Sequence, residues 1–160
     1  MANRIFISLM EDFTPPEWFN EQKVESYCLS VLEKLGYDGE EISVLFCNDE
    51  YIQELNKNYR DIDSPTDILS FENGEEYSDD EGKWLQAGDI AISLETLPKN
   101  AEYFSVSQNE EFKRLLIHGI LHLNGYDHGE EHIESGVAPT DEMLVLQEKT
   151  LKEFGDINLI

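Results

Sequence analysis

Three of the four histidines of this 160-residue chain lie within eleven positions, in His118-Gly-Ile-Leu-His122-Leu-Asn-Gly125-Tyr-Asp-His128. Histidines four apart on a helix share one face and can bind one ion. A glycine just past the last turn accepts the left-handed conformation that ends a helix, so Gly125 is expected to bend the chain and return His128 toward the same ion. Three imidazole ligands leave a tetrahedral zinc one open position, at which water becomes acidic enough to serve as a nucleophile near neutral pH. The alternative for such histidines is a polar helix edge. His132 fits either a fourth ligand that closes the site or a solvated loop histidine. Asp127 is the candidate to orient an imidazole from behind.

The elements around this segment follow from periodicity and caps. Ser107-Gln-Asn-Glu110 has capping-box spacing and launches the histidine helix, on which Phe112, Leu115, Leu116, Ile120, Leu121 and Leu123 leave no polar face. That pattern predicts a buried central helix. Strands are expected at Arg4 to Met10, Glu41 to Cys47, Ile68 to Phe71 and Trp84 to Ser93. A helix launched from Thr14-Pro-Pro-Glu17 is expected to bury Val24, Tyr27, Cys28, Val31, Leu32 and Leu35 and to stop at Gly36. Asn48 or Asp49 caps a second, with Tyr51, Ile52, Leu55 and Tyr59 inward, running to about Arg60. A third is expected over Glu95 to Phe104 and a last over Asp141 to Phe154. The acidic stretch Glu72 to Lys83 reads as a solvated loop.

Length fits one domain, residues 1–160, with a single core. The first ten residues lack the features of a secretory signal and no stretch has the length of a membrane span. Cys28 and Cys47 have neither metal-ligand nor disulfide-framework spacing and read as buried thiols, which together with the missing signal suits the cytoplasm. Against thirty-five Asp and Glu stand eleven Lys and Arg, a net charge of −24. Such a balance argues against broad polyanion binding while allowing a local basic site, for which Lys57, Arg60, Lys113 and Arg114 are the candidates.

The histidine motif resembles the signature of the YbeY family of metal-dependent endoribonucleases that mature ribosomal RNA. Asn56-Lys-Asn-Tyr-Arg60, Thr66-Asp-Ile-Leu-Ser-Phe71, Gly88-Asp-Ile-Ala-Ile-Ser93 and Met143-Leu-Val-Leu-Gln147 resemble further blocks of that family in the same order. The resemblance implies an α+β, zincin-like fold with a mixed four-stranded sheet packed by helices around a central metal-binding helix. It implies zinc on His118, His122 and His128, cleavage of single-stranded RNA, and work on small-subunit ribosomal RNA and ribosome quality control; with so acidic a chain, either that small basic patch holds the RNA or a ribosomal partner supplies most of the binding energy. Arg60 matches the family's functional arginine, whose guanidinium would clamp a phosphate beside the metal; in isolation it is also the cation that suits a helix C-terminus. Thr66, Asp67 and Ser70 would line the same cleft, although turn capping accounts equally well for Asp67. The chain departs from the family pattern in the acidic Asp61-Ile-Asp63 and in the long segment His132 to Pro139.

Zinc proteases carry a general-base Glu directly after the first histidine, where this chain has Gly119. Attack by a metal-activated water or by the RNA's own 2′-hydroxyl are both open. A zincin-type metalloprotease and a metal-stabilised ribosome-assembly factor without catalysis are the rival readings.

Overall fold

The computed structural model describes residues 2–127 and 139–160. Its elements run β1 (Arg4–Leu9), α1 (Glu21–Lys34), β2 (Glu40–Cys47), α2 (Asp49–Arg60), β3 (Ile68–Asp79), β4 (Gly82–Ser93), α3 (Thr96–Phe104), α4 (Gln108–Leu123) and α5 (Glu142–Glu153). The strands form one mixed α+β sheet in the order β1-β2-β4-β3. β1 with β2 and β2 with β4 are parallel, and β3 returns antiparallel to β4. Parallel neighbours need crossovers, which α1 supplies between β1 and β2.

Both faces of the sheet are used. Ile42, Val44 and Phe46 of β2, with Ile90 and Ile92 of β4, join α1 and α4 in the main core. Phe46 and Phe112 meet edge to face at 5.8 Å between ring centres. On the other face Cys47, Leu69 and Ala91 pack under Ile52 of α2 in a smaller cluster. Both thiols are buried and unpaired as disulfides, as expected.

Three expectations need correction. The first helix does not start at Thr14. Its N-cap is Asn20, whose side chain accepts from the Lys23 N–H at 3.0 Å. A residue before proline avoids helical ψ, so the Pro15-Pro16 pair keeps Thr14 and Pro15 out of a helix, and Trp18 and Phe19 reach the core from a turn instead. Tyr59 is not part of the buried stripe of α2: it is 69% exposed and meets Phe71 at 5.3 Å. Asn56 takes the inward position, its amide donating to the Ser64 carbonyl at 2.9 Å.

The third correction is the largest. Glu72 to Lys83 is not a loop but the outer half of the β3–β4 hairpin, closed at Asp79 opposite Gly82. Its strands are held by an aromatic–cation cluster rather than by an apolar face. The Arg4 guanidinium lies 3.6 Å from the centre of the Trp84 ring and donates to Tyr77 Oη at 2.9 Å and Asp79 Oδ2 at 2.8 Å. Tyr77 in turn donates to Glu41. β3 is an edge strand, and its exposed acidic side chains oppose pairing with another sheet.

The hairpin and the sheet change register around Gly88, which has φ +150°. A Cβ there would stand 2.1 Å from the Phe71 carbonyl oxygen and 2.8 Å from Leu123 Cδ2, so a bare Cα lets the end of α4 reach the sheet. The oxygen belongs to a strand and cannot rotate away. Gly88→Ala is therefore expected to cost about 3 kcal/mol, through overpacking and backbone strain, read as a lower urea midpoint at unchanged slope.

Candidate active site

α4 is buried over almost its whole length, as its composition predicts. Ser107 caps it, Oγ accepting from the Glu110 N–H at 3.0 Å. The reciprocal half of the capping box is not made, because the Glu110 carboxylate goes to Arg114. At the other end the Tyr126 N–H bonds the Leu121 carbonyl and the Gly125 N–H bonds that of His122, with Gly125 at φ +88°, the helix-ending pattern its sequence requires. Tyr126 then packs against the main core and anchors the bend.

His118 and His122 are half-buried on one face of α4, their ring centres 4.6 Å apart and their planes at 73°. The two Nε2 atoms are 3.1 Å apart. Two nitrogens each ~2.0–2.1 Å from one tetrahedral ion would be separated by about 3.3 Å, so the pair is already near bridging distance. On the opposite edge, His118 Nδ1 lies 2.7 Å from Gln147 Oε1. An amide oxygen only accepts, which puts the ring proton on Nδ1 and the lone pair on Nε2, toward His122. Gln147 is a residue for which sequence reading found no chemical role; an amide on the inward face of an amphipathic helix was the available signal.

The third predicted ligand, His128, and the alternative fourth, His132, lie outside the described residues. Among the described residues no group of three metal-ligating side chains forms. The donor set present, two imidazoles with converging Nε2 atoms and one fixed tautomer, fits a zinc-type ion as far as it extends. Asp127 is exposed just after the bend.

Arg60 is the exposed last residue of α2, followed by Asp61 in the left-handed conformation at φ +60°. Of the two ways to hold RNA, the four-residue basic patch does not form. Lys113 is buried, its Nζ donating to the carbonyls of Phe154 at 2.9 Å and Ile157 at 3.0 Å. Arg114 is engaged by Glu110, Glu111 and Glu148. A helix enclosed by protein turns its cations into internal partners, so only Lys57 and Arg60 of the four remain exposed.

Thr66 Oγ1 donates to Asp67 Oδ1 at 3.3 Å, and Asn100 of α3 donates to Oδ2 at 2.9 Å. The Asp67 carbonyl also receives the Ser93 N–H at 3.0 Å. These are the bonds of a capped turn that ties the start of β3 to α3. Burial nevertheless pushes the Asp67 carboxyl above its ordinary range, against the bonds from the Ile68 N–H and Thr66. Ser70 is half-buried in β3 opposite Ile90. Gly119 faces these strands: an added Cβ would lie 2.8 Å from Ile90 Cδ1 and 3.0 Å from Ile68 Cδ1. The position that bears a base in zinc proteases is thus the packing contact between α4 and the sheet.

A protein-family model described as Endoribonuclease YbeY matches residues 14–155. This chain belongs to that family. Membership in the YbeY endoribonuclease family makes it a hydrolase of RNA, and ribosomal-RNA processing is its field of action. It is 48% identical to Endoribonuclease YbeY of Treponema denticola over 160 residues, 99% of this chain and 98% of the relative. Endoribonuclease YbeY of Aquifex aeolicus is 41% identical over 132 residues, 81% of this chain and 82% of the relative. A solution structure of a Thermotoga maritima protein superposes with a TM-score of 0.60 at 27% identity, covering 95% of this chain and 90% of that one. Among the described residues of this YbeY-family chain, no helix is long and apolar enough to cross a membrane.

Glu111, 2% exposed, links the site's helix to its charged neighbours: Arg114 Nη1 donates to it at 2.8 Å. Burial pushes its carboxyl up to about 7, further than Arg114 pulls it down. A folded-state value above the unfolded one means the native protein holds this proton more tightly, so Glu111's contribution to stability is greatest below pH ~4.5 and is lost as pH rises through about 7. Glu111→Gln, which mimics the protonated form, should match the unaltered protein near pH 4.5. Toward pH 8 it should become more stable than the unaltered protein, by up to about 3 kcal/mol in urea unfolding. Parallel pH profiles for the two proteins would contradict this.

Proposed function

We propose that residues 1–160 form one zincin-like, metal-dependent endoribonuclease domain that cleaves single-stranded RNA during maturation of small-subunit ribosomal RNA in the cytoplasm. In this reading His118, His122 and His128 hold one zinc-type ion, and Arg60 holds a phosphate of the substrate. The observation that carries it is the converging pair of Nε2 atoms, 3.1 Å apart on a buried helix, with the far edge of His118 already committed to Gln147. When bound, a zinc-type ion would supply Lewis acidity toward a phosphoryl oxygen and acidify water.

The chain's own residues account for the rest. Arg60 presents a planar fork of N–H donors that matches two phosphate oxygens. Its exposure on a helix end leaves it accessible to a polymer. Gly119 supplies no general base, which favours a phosphodiester over a peptide bond, since the proteases need that carboxylate. Thr66 and Ser70 are the hydroxyl candidates for the cleft wall, and Asp127 remains a candidate to orient a ligand. The net charge of −24 favours a second contribution: a ribosomal partner that delivers RNA to a protein whose own surface repels it.

The test is cleavage of a short single-stranded RNA by zinc-loaded protein, beside His122→Ala and Arg60→Ala prepared identically. His122→Ala should lose bound zinc and all cleavage above background. Arg60→Ala should keep its zinc and lose about 10²-fold in kcat/KM, the scale of removing one positioned donor from a developing oxyanion. Zinc removal by a chelator should abolish activity and zinc alone should restore it. Cleavage surviving in His122→Ala would refute the metal mechanism. A zinc-bound but inactive unaltered protein would favour the non-catalytic assembly factor.

A further inference from the structure

The interface between α4 and α5 carries a continuous run of polar contacts that begins at His118 and ends in charged groups well away from it. Gln147, 1% exposed, is its first member. Its Nε2 donates to Glu148 Oε2 at 3.1 Å. Glu148 is gripped in turn by Arg114, through Nε to Oε2 and Nη2 to Oε1, both at 3.0 Å. The remaining guanidinium bonds go to Glu111 at 2.8 Å and Glu110 at 3.1 Å.

The direction of this run is fixed by chemistry. Both oxygens of Glu148 accept from Arg114, so the amide nitrogen of Gln147 faces it as a further donor. Turning the amide over would set its oxygen against the carboxylate and leave a buried N–H pointing at His118. The amide oxygen therefore faces His118 Nδ1, and a buried oxygen at 2.7 Å requires a donor there. A neutral imidazole with its proton on Nδ1 has its lone pair on Nε2.

We propose that Gln147 is a positioning residue: it holds His118 in the Nδ1–H tautomer with Nε2 presented as the ligating nitrogen, and the Glu111–Arg114–Glu148 ladder keeps its amide from turning over. The inference rests on the metal reading above and adds what prepares the ligand before any ion arrives. A half-buried histidine free to carry its proton on either nitrogen would spend part of its time with Nε2 blocked. An ion pair network reaching the other end of α4 removes that freedom. Because the acceptor is an uncharged amide, it orients the ring without placing a negative charge against the site.

Two measurements test this on the full chain. The first is the long-range ¹⁵N–¹H correlation of the metal-free protein, which reads the tautomer of His118 directly; Nδ1–H is expected, and Nε2–H as the major form would overturn the proposal. The second is zinc affinity by competition with a chromophoric chelator. Gln147→Leu, which keeps bulk and removes the acceptor, should bind zinc about 10–100-fold more weakly, the usual cost of losing a hydrogen bond behind a histidine ligand. Undiminished affinity in Gln147→Leu would overturn the proposal. The tautomer is read on the unaltered protein, so a leucine variant that failed to fold would leave that test in force. Failure of the metal reading shows elsewhere, as zinc bound equally well by His118→Ala, His122→Ala and the unaltered chain.

Discussion

A helix enclosed on nearly all sides must find every polar partner inside the protein, and that requirement on α4 organises the molecule. Unpaired, each buried charge would cost several kcal/mol. Glu111 and Arg114 answer each other, Lys113 is satisfied by the carbonyls that follow α5, and His118 is answered by Gln147. On the opposite side Gly119 lets Ile68 and Ile90 close against the helix axis, and Gly88 does the same for Leu123. The sheet thus supplies apolar contact and α5 supplies polar contact. The two histidines sit on the segment between them, on a scaffold with little room to move.

The legible features were those set by neighbours in sequence. Four-residue spacing, a glycine after the last turn and a serine three residues before a glutamate act within one helix, and His118, His122, Gly125 and Ser107 do what those rules require. Features decided at long range were not legible. The partner of His118 comes from twenty-nine positions away and carries an unremarkable amide. Lys113 and Arg114 look in sequence like a basic patch, and only the packing of α5 shows them turned inward. The acidic run 72–83 lacks the apolar alternation of a strand because Arg4, more than seventy residues away, does the work that an apolar face would do. At Thr14 a local rule was present and lost, since the two prolines behind it have a stronger preference of their own.

The same inward turning sharpens the charge problem. Cations that would have softened the acidic surface are spent on the interior, and the carboxylates they answer are a small share of the thirty-five. Long-range attraction for a polyanion is therefore weak, and recognition has to come from short-range chemistry at a few points. A phosphate fork on Arg60 and a cation held by imidazoles, as proposed above, would be contacts of that kind. They act over a few ångströms, within the distance at which salt screens the remaining surface.

The contact between Gln147 and His118 also has a consequence for the order in which the protein is made. Chains leave the ribosome N-terminus first, and α4 emerges before α5. For that interval both histidines are already synthesised, yet the amide behind His118, the carboxylate that steadies it and the carbonyls that receive Lys113 do not exist. A nascent or truncated chain ending before α5 has both histidines without that support and a buried-type helix without its polar cover. For a hydrolase of RNA, born beside messenger and ribosomal RNA alike, α5 is thus a form of timing: His118 gains its support only after α5 has been made.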